Sequence, residues 1–385
     1  MAHVDELHET TEILAGSGTP EELLTNLTRA WQEQADGVAA GPGAIVRTCT
    51  LNLVIFSANA RAAQQAEAIM PQLSATCPCR AIHVQASDDR EAPLSATSHV
   101  HTWLEGGVRT INCEQVTLTG GARALNDLEG VIAPLLSPDL PVVLWWRGDP
   151  PFEGRLFEHL VAAADRVIYD SSYFLQPEED LPWAVELIDR NTVLDVAFTD
   201  VNWARLTPWR ALVAQFFDGA ANAGALDGID TVRIGYHDTT LSTDRASVQA
   251  WLFMGWLGSR LRWRGPGPAP WGDTPTFSLE GHGHTVTVSF ERVADEGPQG
   301  LRTVELGAST PRKGTYRVEL LPDRCSRTIT DIEGRPPLER VTTGGNDSYN
   351  ELMASELEMP GRDQIYEETL RFASGLVPSP GEATA

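Results

Sequence analysis

Between residues 47 and 170 the chain alternates short apolar runs with stretches of helical periodicity, and few folds accept that pattern. RTCTLNLVIF (47–56) reads as a strand, ARAAQQAEAIMPQL (60–73) as an Ala-rich helix and CRAIHVQAS (79–87) as a strand. SHVHTWL and QVTLTG add further strands. ALNDLEGVIAPLL (124–136) carries Leu125, Leu128, Ile132 and Leu135/Leu136 on one stripe, which predicts a helix. PVVLWW, GRLFEHLVAAA and DRVIYDSS continue as strand, helix and strand. The implied fold class is α/β: an N-terminal layered domain with a mostly parallel sheet and helices over both faces.

After about residue 220 the period changes. TVRIGYHD reads as a strand, and ASVQAWLFMGWLGSRLRWR as a helix apolar almost all round, hence buried, with Thr243 and Asp244 at its start. TFSLEG, HTVTVSFERV, LRTVELGA and TYRVELL alternate with period two. They predict an antiparallel sheet with one wet face, in a C-terminal α+β domain. The tail SYNELMASELEMPGRDQIYEETLRFASGL is helical, broken near Pro360-Gly361. The expected division is 1–40 as a helical segment and linker, 41–180 as the α/β domain, 181–220 as a connecting helical region and 221–385 as the α+β domain. Within the first segment, helix is expected from 1 to about 36, on the stripe Leu23, Leu24, Leu27 and Trp31.

Charge narrows the partners. The 385 residues include 29 basic and 53 acidic ones, formally −24, which disfavours nucleic acid and anionic membrane surfaces. No apolar run reaches the roughly 18 residues a membrane helix needs. The acidic start MAHVDELHETTEILAG lacks a signal-peptide pattern, so a cytoplasmic protein is expected. Five cysteines, an odd and sparse set, fit free thiols.

Catalytic motifs are missing. There is no Gly-x-Ser-x-Gly, Walker loop or His-Glu-x-x-His, and Gly16-Ser17-Gly18 follows no expected strand, so it is no dinucleotide fingerprint. Cys77 and Cys79 with His99 and His101 raise zinc, but the spacing matches no familiar zinc module and no metal or other cofactor is expected. Two aromatic-basic clusters stand out. In SPDLPVVLWWRGDPP, Trp145 and Trp146 must point to opposite faces of a strand, with Arg147 next. NWARLTPWR places Trp203, Arg205, Trp209 and Arg210 within a few residues. Trp and Arg dominate interface hot spots, although buried packing explains tryptophans equally well. Trp146, at the chain's exit from the sheet, is expected to be the less buried of its pair.

The ordered set SPDLPVVLWWRGDPP, DRVIYDSSYF, DVNWARLTPWRALVAQFFD, FMGWLGSRLRWR and GRDQIYEETL, with CEQVTLTG upstream, resembles the glucose-6-phosphate dehydrogenase assembly protein family, OpcA. The resemblance implies a non-catalytic protein that binds glucose-6-phosphate dehydrogenase, supports its active oligomer and activates it at the entry to the oxidative pentose phosphate pathway. It implies partner-binding roles for Trp145, Trp146, Arg147, Trp203, Arg205, Trp209 and Arg210. In cyanobacteria the family is associated with thiol control through clustered C-terminal cysteines; LLPDRCSRTITDIEGRPPLERVTTGG holds only Cys325, so such control is not expected here. The alternative is an α/β enzyme on a sugar phosphate, lactonase-like, using Asp149, Arg147 and His159.

Overall fold

The structure is a computed structural model of the chain. It describes residues 7–17, 21–22, 25, 29, 46–47, 49–105, 108–126, 128–149, 154–219, 222–238, 246–265, 267–270, 274–294, 297, 299–343, 348–359 and 361–378. Along the chain, β1 (Leu7–Ser17) and β2 (Val46–Arg47) precede β3 (Leu51–Ser57), α1 (Ala60–Thr76), β4 (Cys79–Ala86), β5 (Ser95–Glu105) and β6 (Val108–Gly120). Next come α2 (Glu129–Leu135), β7 (Val142–Arg147), α3 (Arg155–Ala162), β8 (Arg166–Tyr169), α4 (Pro177–Arg190), β9 (Ala197–Asp200), α5 (Val201–Arg205) and α6 (Thr207–Gln215). Then follow β10 (Ile229–His237), α7 (Val248–Arg260), β11 (Thr276–Gly281), β12 (His284–Arg292), β13 (Gly300–Ala308) and β14 (Gly314–Leu320). β15 (Ser326–Ile332), β16 (Leu338–Thr342), α8 (Tyr349–Glu358) and α9 (Gln364–Ser374) are the last of the main elements.

Two compact units share these elements. Unit one takes residues 1–170, 192–201 and 348–362; unit two takes 171–191, 202–347 and 363–385. In unit one the strands run β1-β5-β6-β4-β3-β7-β8-β9, with β2 also on β6. Every pair from β6 through β9 is parallel, while β5 and β1 add antiparallel strands at one edge. The chain starts at β3, steps outward to β4 and β6, then returns to build β7, β8 and β9 on the other side. That is the doubly wound order, reversing between β3 and β7.

Burial on both faces explains the continuous apolar runs. Leu51, Leu53 and Ile55 of β3 join Ala66, Met70 and Leu73 of α1 and Met353, Ala354 and Leu357 of α8 in one core. Asn59 starts α1, its Oδ1 accepting from Ala62 N at 2.9 Å. Trp145 lies in the same core, its ring 6.0 Å from Tyr349. Trp146 faces the other way, stacked on Phe56 at 3.9 Å and edge-on to Phe157 of α3 at 4.7 Å. The two tryptophans therefore serve two layers, as strand alternation requires. The expected difference in burial is slight: Trp145 is 0 % and Trp146 6 % exposed. Arg166 of β8 donates to the carbonyls of Met359 and Gly361, closing the C-terminal end of α8.

Unit two is built on a seven-stranded sheet, β11-β12-β10-β13-β14-β15-β16, antiparallel except for β10 on β12. α7 is buried nearly all round and begins at Ser247, whose Oγ accepts from Gln249 N at 3.3 Å; Thr243 and Asp244 lie outside the described residues. α9 packs closely on α7 because Gly255 and Gly258 have no side chains. A Cβ on Gly255 would sit 2.5 Å from Thr369 O, and one on Gly258 2.2 Å from the Phe372 ring. The outer strand positions form the wet face, where Arg233 meets Glu305 at 2.6 Å and Arg317 meets Glu319 at 2.7 Å.

Several expectations change. The helix expected from 1 to about 36 gives way at Leu7–Ser17 to β1, paired antiparallel with β5; Glu21, Glu22, Thr25 and Arg29 are helical. Thr10, Thr11 and Ile13 are β-branched and suit an edge strand. Gly16 and Ser17 thus end a strand after all, one that pairs antiparallel with β5 at the edge of the sheet. The helix expected over 124–136 is two shorter pieces, Ala122–Leu125 and α2. The stretch 181–220 is not wholly helical, because β9 within it pairs parallel with β8. No helix among the described residues is long and apolar enough to cross a membrane.

Substituting Trp145 or Trp146 by Ala is expected to cost about 3–5 kcal/mol in each case, since each empties a packed aromatic site. Urea unfolding of the two variants checks this; an unchanged midpoint for either would contradict its packing role.

Candidate functional site

Doubly wound sheets place ligands beyond the carboxyl ends of their strands, at the reversal. Here the turn after β3 is Ser57-Ala58-Asn59-Ala60, with none of the glycines that let a backbone approach pyrophosphate. On one face of this end stand Phe56 and Trp146, stacked. On the other face the register aligns Ser57 with Gln85 and Arg147, and Gln85 with Thr119. His83, two residues before Gln85, shares that face.

These side chains form one network. Ser57 Oγ lies 2.9 Å from His83 Nε2, and His83 Nδ1 lies 3.3 Å from Gln85 Nε2. Gln85 Nε2 also donates to Glu67 Oε1 at 2.6 Å, and Thr119 Oγ1 donates to Gln85 Oε1 at 3.4 Å. The carboxylate and the hydroxyl fix the amide, so Nδ1 of His83 accepts and Nε2 carries the proton. His83 then donates to Ser57 instead of taking its proton, which is the wrong tautomer for a general base. Both residues are 0 % exposed. Ser57 and His83 resemble a nucleophilic pair in distance only.

Burial, with a smaller contribution from the Arg147 charge, pushes the His83 imidazole down to about 4. Arg147 donates from Nη2 to Gln65 Oε1 at 2.6 Å and lies over the Trp145 ring at 4.8 Å. It therefore faces α1 and α8. His159 is on α3, which packs through Phe157 against Trp146 on the opposite face. Arg147 and His159 do not converge, and the exposed Asp149 follows the strand after a bend at Gly148. The lactonase-like arrangement is thus not assembled. The suggested zinc set is separated too: Cys77 Sγ points at Ala354 O (4.0 Å), Cys79 Sγ at Cys113 Sγ (3.8 Å) and His101 at Gln115 (3.3 Å).

In unit two the NWARLTPWR segment divides into buried and half-buried halves. Trp203 is 3 % exposed; its Nε1 donates to Asp363 Oδ2 at 2.9 Å, and its ring lies 5.8 Å from Tyr366. Asp363 caps α9 through its other oxygen, accepting from Tyr366 N at 2.9 Å. The Arg210 guanidinium sits 3.3 Å over the Trp203 ring and donates to Trp203 O at 2.8 Å. Trp203 therefore pins the start of α9, and Arg210 clamps Trp203. Arg205 and Trp209 point elsewhere. They line a cleft of about 750 Å³ together with Arg302, Arg317, Arg324 and Arg327. Sequence reasoning found two of these six; the other four are spread over 302–327 and are gathered only by sheet pairing.

The family model described as "Glucose-6-phosphate dehydrogenase subunit N-terminal domain" matches residues 70–184, and the "C-terminal domain" of the same subunit matches 196–370. The chain belongs to the OpcA family. Among OpcA relatives, the "Putative OxPP cycle protein OpcA" of Synechocystis sp. is 29% identical over 80% of this chain and 66% of its own length. The protein of the same description from Nostoc punctiforme is 32% identical over 80% and 67%. The chain thus spans about two thirds of the length of these OpcA proteins. Among solved structures, a putative oxidoreductase from Parabacteroides merdae aligns over 86% of this chain and 98% of its own, at 8% identity and a TM-score of 0.48. Similarity at that level carries no functional weight.

The thiols of this OpcA chain fall into two groups. Cys77, Cys79 and Cys113 are buried; Cys49 and Cys325 are partly exposed. Burial lifts the Cys77 thiol to about 11, and the contact with Cys79 together with burial raises Cys113.

Two outcomes follow from this geometry. A neutral, buried His83 that titrates near 6.5 once unfolded makes the unfolded chain bind more protons below that pH. Its share of stability, present above about pH 6.5, is therefore lost as pH falls toward 4, by about 3 kcal/mol at most. His83→Gln is expected to remove that share of the slope, read as the wild-type-minus-variant difference in unfolding free energy between pH 7 and 4.5. A pH-independent difference would count against it. Separately, a thiol-reactive dye is expected to label two cysteines in the native protein and five in denaturant; rapid native labelling of Cys79 or Cys113 would contradict their burial.

Proposed function

We propose that the chain is a non-catalytic assembly factor and allosteric activator of glucose-6-phosphate dehydrogenase, serving the active oligomer of that enzyme in the oxidative pentose phosphate pathway. The observation that carries the reading is the family match across both halves of the chain, under a description that names a subunit of that dehydrogenase. The residue chemistry agrees with it. The carboxyl end of the parallel sheet is filled by Phe56 and Trp146 on one face, and on the other by a serine–histidine pair that is buried and in the wrong tautomer. Binding, rather than turnover, suits such a chain.

Of the seven residues expected at the partner surface, Trp145, Trp146 and Trp203 are buried and would act by holding the scaffold. Arg147, Arg205, Trp209 and Arg210 are half-buried and remain the proposed contacts. A protein with formal charge −24 that presents arginines beside an aromatic ring offers a local basic patch within an acidic field.

Mixing the protein with its host's glucose-6-phosphate dehydrogenase is expected to give one co-eluting complex at micromolar concentration, together with a lower apparent substrate constant or a higher turnover. Trp209→Ala is expected to leave the melting temperature nearly unchanged and to weaken the complex by about thirtyfold, the equivalent of about 2 kcal/mol. Separate elution with unchanged kinetics at every ratio would refute the proposal.

A further inference from the structure

Among the described residues, the seven-stranded sheet of unit two is covered by helices on one face. Val232, Val304, Leu306 and Val318 turn to that face, where α7 packs on β10 and β13 and α6 on β14. The alternate positions are half-buried or exposed. Strand register arranges them in rows across the sheet. In the middle row Ser289, Arg233, Glu305, Arg317, Ile329 and Glu339 stand side by side. The flanking rows have short side chains at their centres, Thr231, Gly307 and Thr315 on one side and Gly235 and Thr303 on the other.

The charges on this face are matched in a ladder. Arg233 meets Glu305 at 2.6 Å, Glu305 also lies 4.0 Å from Arg317, and Arg317 reaches Glu319 at 2.7 Å. Glu319 accepts from Arg327 Nε at 2.9 Å, and Arg327 reaches Glu339 at 3.5 Å. The three arginines and three glutamates of the ladder cancel, on a chain that is formally −24. Two copies of so acidic a chain repel each other over most of their surface, and least where the local charge is balanced. Covering a matched ladder strands no charge, and side chains already held by neighbours lose less freedom on docking. The face is also large enough. Seven strands of about seven residues, about 4.8 Å apart and rising about 3.4 Å per residue, span roughly 800 Å², each partner's share of a standard interface.

We infer that this face docks a second copy of the chain, sheet on sheet, about a two-fold axis running along the strands between β13 and β14. Aligned packing of two sheets is a common arrangement. Such an axis sets each position opposite its mirror position in the other copy. Glu305 then faces Arg317 of the second copy, and Arg317 faces its Glu305, so the centre gains two opposite-charge contacts. Arg233 lays its aliphatic stem on Ile329, and Arg327 stands over Gly235. Outside the ladder Glu291 meets Val341, and Asp331 meets Thr231. No like charges oppose one another on these rows. An axis along β13 would set Glu305 against its own copy, and one along β14 would do the same to Arg317, so charge selects the axis between them. This self-complementarity is what favours a second copy as the occupant.

The test is sedimentation velocity of the isolated full chain, which is expected to run as a dimer at micromolar concentration. Glu305→Arg places two guanidinium pairs at the centre of the dimer, and Arg317→Glu places two carboxylate pairs there. Each variant alone is expected to weaken the dimer by at least about thirtyfold. Mixed in equal amounts, the two restore both opposite-charge contacts and are expected to form a heterodimer, a rescue that no folding defect would produce. Thr315→Arg leaves the ladder intact, adds bulk over Gly307 of the second copy and is expected to weaken the dimer at an unchanged melting temperature. A wild type that stays monomeric at every concentration, single variants that dimerise equally well, or a mixture that does not pair would overturn the inference. So would a monomeric wild type whose dehydrogenase complex is lost in Thr315→Arg, which would assign the face to the dehydrogenase. Because the sedimentation needs no dehydrogenase, its outcome is independent of the proposed activator role.

Discussion

The parallel pairing of β3 with β7 is the contact on which unit one depends. It sets Ile55 beside Trp145 and Phe56 beside Trp146, so that two successive rungs of the ladder feed the two layers of the core. On one side Trp145 closes the core with α1 and α8; on the other Trp146 joins Phe56 and Phe157. Large aromatic side chains contribute more buried area than any others, so neighbouring rungs that each carry a tryptophan anchor the helices over both faces.

The same two rungs bear on what the end of the sheet can do. Doubly wound folds keep this place open for a ligand, with a glycine-rich turn to admit it. Here the space holds aromatic rings, the turn leads into a helix capped by Asn59, and Ser57, His83, Gln85 and Glu67 bond one another. A buried histidine that donates to a serine is a structural tie. Its low pKa reflects burial and a neighbouring positive charge. The fold's usual site is occupied by core side chains.

Much of this was legible along the chain. LNLVIF and PVVLWW predicted strands buried on both faces, VQAWLFMGWLGSR predicted a buried helix, and the period-two runs after residue 276 predicted a sheet with one wet face. β1 was not legible, because HETTEIL has no strong period and forms a strand only where β5 offers an edge. β9 was missed for a similar reason: AFTD is four residues long, too short to show a period. The cleft arginines were invisible as a group. Arg302, Arg317 and Arg327 sit on different strands of one sheet or beside them, and each alone reads as an ordinary surface residue of an alternating strand.

The sequence by itself determined the alternation of elements, the opposed directions of Trp145 and Trp146 and the family, because those depend on local periodicity and on the order of motifs. Tertiary structure alone decided which aromatic-basic residues are buried and which reach a cleft. Trp203 and Arg205 are two residues apart on a short helix, and nothing in their spacing separates a pin held by Asp363 from a residue that lines a cleft. Periodicity acts over one turn or one strand, whereas burial and charge clustering depend on partners more than a hundred residues away, which only the closed fold brings within reach.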